Sequence, residues 1–175
     1  MSPVNRIVAA ACITLLTYPL PGKTLSTDRN QPINIEADRL DIDDARHISI
    51  YQGNVEMQQG SLHIRADKII FHFTAENDME RLEIEGSPAT LKQLDDSNLP
   101  ISGSAHKIIY TDNQLLLNLQ GDARFRSNRD TIEGEWISVN TDTDSVKAGS
   151  KKGENRVRML IQPKDTSSTP GTPKK

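Results

Sequence analysis

Four histidines, His47, His63, His72 and His106, and the carboxylate pair Glu133 and Glu135 are the side chains of this 175-residue chain best suited to metal or acid–base chemistry. A protein zinc site draws ligands from tightly spaced pairs, whereas these histidines lie nine or more residues apart. Each falls on the polar phase of its segment, with Ile48, Leu62, Ile64, Phe71 and Phe73 taking the inward positions beside the first three. Two carboxylates held about 5–10 Å apart across a cleft can hydrolyse a glycoside. Glu133 and Glu135, however, flank Gly134 on a strand, where residues i and i+2 share a face, and no cleft is implied. Neither a glycine-rich phosphate loop nor a nucleophile elbow is present. The expectation is a chain that is not an enzyme, with no metal, cofactor or catalytic residue.

The elements carrying these residues read as strands. Apolar residues alternate with polar ones at Ile33, Ile35, Ala37; Leu40, Ile42; Ile48, Ile50; Val55, Met57; Leu62, Ile64, Ala66; Ile69, Phe71, Phe73; Leu82, Ile84; Ala89, Leu91; Ile108, Tyr110; Leu115, Leu117, Leu119; Ala123, Phe125; Ile137, Val139; and Val157, Met159, Ile161. A period of two puts one apolar and one polar face on each strand. No long segment has the helical period.

The pattern also repeats. Ala37-Asp38-Arg39-Leu40, Ala66-Asp67-Lys68-Ile69, Ala105-His106-Lys107-Ile108 and Gly134-Glu135-Trp136-Ile137 share the order small, polar, usually basic, aliphatic, at spacings of 29, 39 and 29 residues. Gly53-Asn54, Gly86-Ser87-Pro88 and Gly121-Asp122 are read as glycine turns after the first three. A small inner side chain fits where a strand bends or two backbones approach, and a bulge there switches the inward phase. The fold expected is all-β, with about 16 antiparallel strands in four units folding over to share one apolar face.

Composition agrees with a polar β-protein: 35% of residues are hydrophobic, 4% aromatic and 26% charged. The formal charge of −3 conceals a central region of −7 between cationic ends, a poor match for nucleic acid. Arg6 followed by the apolar run Ile7–Leu16 and by Pro19, Pro21 and Gly22 reads as a secretory signal over residues 1–25 with an uncertain boundary. A lipoprotein reading at Cys12 is opposed by the apolar run continuing past it. Residues 162–175 are rich in Pro, Ser, Thr and Lys and read as a disordered polar tail. The domain is assigned to residues 31–161.

Gln31-Pro32-Ile33-Asn34-Ile35-Glu36-Ala37-Asp38, Tyr51-Gln52-Gly53-Asn54-Val55, Ile64-Arg65-Ala66-Asp67-Lys68, Gly86-Ser87-Pro88-Ala89-Thr90 and Leu119-Gln120-Gly121-Asp122-Ala123 stand in an order and spacing that resembles the LptA/OstA family of lipopolysaccharide transport proteins. The resemblance runs from about residue 31 to 161. It implies a periplasmic, twisted open β-jelly-roll that binds lipopolysaccharide and bridges inner- and outer-membrane transport complexes. Implied partners are the homologous β-jelly-roll domains of LptC-like and LptD-like proteins. Matched by motif, the acyl-chain-binding positions fall on Ile33, Ile35, Leu91 and Tyr110. Periodicity alone does not separate such a groove from the ordinary core of a sandwich.

An open roll leaves an unpaired strand at each end. Glu36 and Asp38 near one end and Arg156 and Arg158 near the other favour head-to-tail addition of copies. Two rival readings are a carbohydrate-binding module, which needs aromatic platforms such as Trp136, and a structural filament with a dry core.

Overall fold

The computed structural model describes residues 26–95, 97–127, 130–150 and 156–162; the expected leader, and the tail apart from Gln162, lie outside them. One helical turn, Ser26–Arg29, precedes ten strands: β1 Asn34–Glu36, β2 Arg39–Asp43, β3 Ile48–Gln59, β4 Leu62–Phe73, β5 Met79–Leu94, β6 Pro100–Thr111, β7 Leu116–Ser127, β8 Asp130–Asn140, β9 Ser145–Gly149 and β10 Arg158–Leu160. All pairings are antiparallel, and the strand order is β1-β3-β4-β5-β6-β7-β8-β10, with β2 also on β3 and β9 also on β8.

The structure has ten strands where about sixteen were expected, because the chain does not reverse at the glycines. Gly53-Asn54, Gly86-Ser87-Pro88 and Gly121-Asp122 lie inside β3, β5 and β7, where the register shifts against the neighbouring strand. Gly53 and Asn54 have φ of 78° and 45°, and Gly121 and Asp122 repeat this with 79° and 48°. A pair of left-handed residues inside a ladder is a bulge that bends the strand.

The small residues of the repeat stand beside these bulges, as their size suggested. Val55 registers with Ala66, Ala89 with Ala105, and Ala123 with Gly134. The polar residue that follows covers the next strand's glycine: a Cβ on Gly53 would lie 2.3 Å from the Asp38 carboxylate, and one on Gly121 would lie 2.8 Å from His106 Nδ1. Asp38 also accepts a hydrogen bond from Asn54 Nδ2 at 2.8 Å. One line of bends thus crosses the whole sheet. It leaves β1, the outer parts of β3–β8 and β10 in one wall, and β2, the remaining parts of β3–β8 and β9 in the other.

The walls face each other. A Cβ on Gly103 would lie 3.1 Å from Leu119 Cδ2, yet Leu119 registers with Ile108, five residues further along β6. A straight strand would separate those levels by about 16 Å; the bend brings them together. Between the walls Ile69, Ile84, Ile108, Leu119 and Ile137 are at most 1% exposed.

The outward face of the second wall departs from the expected polar alternation. Ile48 registers with His72, and Ile50 with Ile70, while Ser49 and Tyr51 take the inward phase opposite Phe71 and Ile69. Ile48 therefore points outward, contrary to expectation: the bulge keeps odd-numbered residues inward along all of β3, from Ser49 and Tyr51 to Val55 and Met57, while β4 changes phase between Ala66 and Ile69. Among these outward isoleucines lies Glu83, 7% exposed, registered between Ile70 and Ile109. Its carboxylate meets Lys107 Nζ at 2.6 Å, His72 Nε2 at 3.0 Å and the Arg81 guanidinium.

Burial pushes the Glu83 carboxyl up, but the hydrogen bond and charge of Lys107, joined by Arg81 and His72, outweigh it and hold the group below the usual carboxylate range. The unfolded chain then binds a proton more readily than the folded one, so this stabilisation is present above about pH 4.5 and is lost as pH falls below it. Urea unfolding between pH 3 and 7 should show a shallower acid loss for Glu83→Gln than for the parent. An unchanged slope would show that this cluster contributes nothing to acid unfolding.

Candidate functional site

The inward side chains form rows that cross the sheet from edge to edge. In the first wall the register runs Ile35–Met57–Ile64–Leu91–Gly103–Phe125–Ile132–Met159. In the second it runs Leu40–Tyr51–Ile69–Ile84–Ile108–Leu119–Ile137–Ala148. The next row out is Ile42–Ser49–Phe71–Leu82–Tyr110–Leu117–Val139–Val146. No side chain in these rows carries a charge at neutral pH.

Burial is complete at the centre and fades toward both edges. Leu40, Ile42 and Ile33 are exposed beside β1 and β2, as are Val157, Met159, Leu160 and Ile161 around β10. An apolar stripe that emerges at both ends of a sheet departs from the usual closed core of a monomer.

Ile35 and Leu91 share one row, three register steps and hence about 14 Å apart. Leu91 is 6% exposed and Ile35 packs against the core at the edge. Ile33 lies just before β1 and is 44% exposed. Tyr110 is on the facing wall, registered between Leu82 and Leu117. The structure thus places Ile35 and Leu91 on one row, with Met57 and Ile64 between them, and Tyr110 on the facing wall.

Among the described residues Tyr110 is also the one inward phenol with a charged partner near the rim. Its hydroxyl donates to Asp112 Oδ1 at 3.1 Å and accepts from the Arg29 guanidinium. Burial pushes its pKa up to about 12, with the charge of Arg29 opposing. Met57, Ile64, Phe125, Ile132 and Met159 complete the row but escaped selection as site residues. The inward phase of Met57, Ile64, Phe125 and Met159 is legible in the alternation, that of Ile132 is not, and aligning them needs the strand pairing.

The residues first considered for chemistry stay apart. His63 is exposed, His106 lies at the bend 3.7 Å from the Asp122 carboxylate, and His72 joins the Glu83 cluster. Glu133 is paired with Arg124 at 2.7 Å on the outward face. Among the described residues no three potential ligands converge on a metal position, and no helix is long and apolar enough to cross a membrane.

Comparison with known proteins gives this geometry a family. The family model described as "LptA/(LptD N-terminal domain) LPS transport protein" matches residues 34–145, from β1 into β9. The chain belongs to this family. It is 30% identical over 171 residues to the lipopolysaccharide export system protein LptA of Haemophilus influenzae, covering 95% of this chain and 99% of that one. Similarity to LptA of Escherichia coli K12 is 28% over 159 residues, covering 90% and 84% of the two chains. The crystal structure of LptH, described as the LptA homologous periplasmic component of the lipopolysaccharide transport device of Pseudomonas aeruginosa, superposes with a TM-score of 0.70 at 28% identity, covering 78% of this chain and 99% of that one. The family is one of transport proteins, not enzymes, and its fold is the open antiparallel β-roll seen here.

Proposed function

We propose that this chain carries lipopolysaccharide in the periplasm, sheltering acyl chains between its two walls and adding head to tail to copies of itself or to like folds of partner transport proteins. The observation that carries the reading is the unbroken apolar row from Ile35 to Met159, continued by exposed Ile33 at one edge of the sheet and ending on exposed Met159 at the other. Stacked copies extend such a row, whereas a dry-cored domain has no use for one that emerges at its ends. Exposing an acyl chain of a dozen methylenes to water costs about 10 kcal/mol, at roughly 0.8 kcal/mol per CH₂. Exchanging contacts between walls for contacts with a chain is close to neutral by comparison, since both are apolar.

The walls close tightly at the centre, so cargo enters by parting them. With Cys12 the single cysteine, no intrachain disulfide opposes that movement. The carbohydrate-binding reading finds less support: Tyr51 and Tyr110 pack against the core, which leaves Trp136 as the exposed aromatic among the described residues.

The test is a photoreactive residue placed at Ile35 or Leu91, with outward His63 and Lys92 as controls. Purified lipopolysaccharide should be captured at the first two positions and not at the controls. Capture confined to the outward positions would end the groove reading.

A further inference from the structure

The segment just before β1 lies in the mouth of the roll, on the side opposite the line of bends. Asp28 is fixed to the rim of the first wall: its carboxylate accepts from Ser61 Oγ at 2.5 Å and Gln93 Nε2 at 3.2 Å. It fills the space over Gly60, where a Cβ would lie 2.2 Å from Asp28 Oδ1. Gln59 Nε2 donates to the carbonyls of Arg29 and Gln31, at 3.2 and 3.1 Å. Gln59 lies two residues beyond inward-facing Met57 and shares that phase, so these bonds form on the cargo side of the rim.

Arg29 then crosses to the other wall. Its guanidinium meets Tyr110 Oη and the Asp112 carboxylate, the latter at 3.4 Å, and lies 5.8 Å from the Tyr110 ring centre. The two ends of this crossing are rims of different walls, 81 residues apart in sequence at Arg29 and Tyr110. Both the arginine and the aspartate side chains are substantially exposed, at 51% and 39%, and ion pairs so placed are weak and readily exchanged.

We infer that residues 28–31 form a strap that holds the mouth of the roll shut between Gln59, Ser61 and Gln93 on one rim and Tyr110 and Asp112 on the other, and that its Arg29 end releases to let an acyl chain in sideways. The asymmetry favours this direction of release. The Asp28 end is held by several neutral and charge-assisted hydrogen bonds in a fitted notch, and the Arg29 end by one solvent-exposed cluster. Tyr110, the residue matched to acyl-chain binding, is covered while the strap is closed. The inference rests on the proposed lipid-carrying role.

The experiment measures the rate at which the chain takes up fluorescently labelled lipopolysaccharide by stopped flow, together with capture at a photoreactive Leu91 position. Arg29→Ala should load about fivefold faster, the factor one exposed ion pair supplies, with its melting temperature near that of the parent. In a Cys12→Ser background, Arg29→Cys with Asp112→Cys joined by a short bis-maleimide should load more slowly than the same variant before joining. Parental loading rates in both forms, with Leu91 capture intact, would overturn the strap and leave the lipid reading standing. Absence of uptake and capture in every form, the parent included, would overturn both.

Discussion

Replacing Ile108 with alanine should lower the melting temperature by about 10 °C, from removal of a buried side chain worth about 2–5 kcal/mol. Ile108 is fully buried in the middle of the second-wall row, between Ile84 and Leu119. At that level the walls touch, as Leu119 against Gly103 shows. The neighbours of Ile108 are strand residues held by ladders on both sides, so they cannot collapse to fill the space. Ile42→Ala is the matched control: its side chain is 63% exposed at the edge, and the melting temperature should change by about 1 °C or less. Equal effects at the two positions, measured by thermal unfolding of the purified chain, would contradict the tight centre. A tight centre with loose ends also bears on the proposed sheltering of acyl chains, in which the walls would begin to part at the rims and edges, where fewest contacts are lost.

Why the strands and the bends could be read in advance, while the count and the phase could not, follows from what each depends on. Alternation at Leu62, Ile64 and Ala66 or at Leu115, Leu117 and Leu119 is a property of a single segment and survives whatever it pairs with. The repeated Ala-Asp-Arg-Leu type of motif marks a bend because a small inner residue is needed there on any strand. Gly53-Asn54 is ambiguous: two left-handed residues can reverse a chain in a hairpin or offset it by one place inside a ladder. Only the partner strand decides, and here β4 continues pairing past the bulge on both sides. The extra residue there keeps odd-numbered residues inward on both sides of the bend, which leaves Ile48 and Ile50 outward. For the site, three of the four residues matched through the family resemblance fall on two facing walls and Ile33 lies just before β1, but the completed row needs the strand order. The strap was the least legible part: Asp28 and Arg29 fall between the expected leader and the assigned domain, and their partners lie 33 to 83 residues away at Ser61, Gln93, Tyr110 and Asp112.

Met159→Asp combined with Ile161→Asp should weaken head-to-tail assembly by about 100-fold or more while leaving the fold intact. Met159 ends the first-wall row by registering with Ile132, and both substituted residues are exposed in the single chain, at 57% and 66%. In a stacked pair they would be covered by the first strand of the next copy, where Ile33 and Ile35 continue the row. Burying two such side chains contributes about 3 kcal/mol even when only partly realised, which is roughly the 100-fold expected, and carboxylates placed in that joint add a desolvation cost. A charge exchange separates pairing of the edges from simple stickiness. Glu36 and Arg158 both lie exposed on edge strands, β1 and β10. Glu36→Arg alone places like charges at the joint and should weaken assembly, whereas Glu36→Arg with Arg158→Glu should restore it. Sedimentation across a range of concentrations reads both effects, and thermal unfolding confirms that each variant is folded. If the double aspartate variant assembles as the parent does, the exposed row at β10 is not the joint; if the exchanged pair fails to recover, Glu36 and Arg158 do not meet across it. Because the same two edges bound the apolar row, loss of the joint should also interrupt passage of lipid from copy to copy without reducing capture at Leu91 within one.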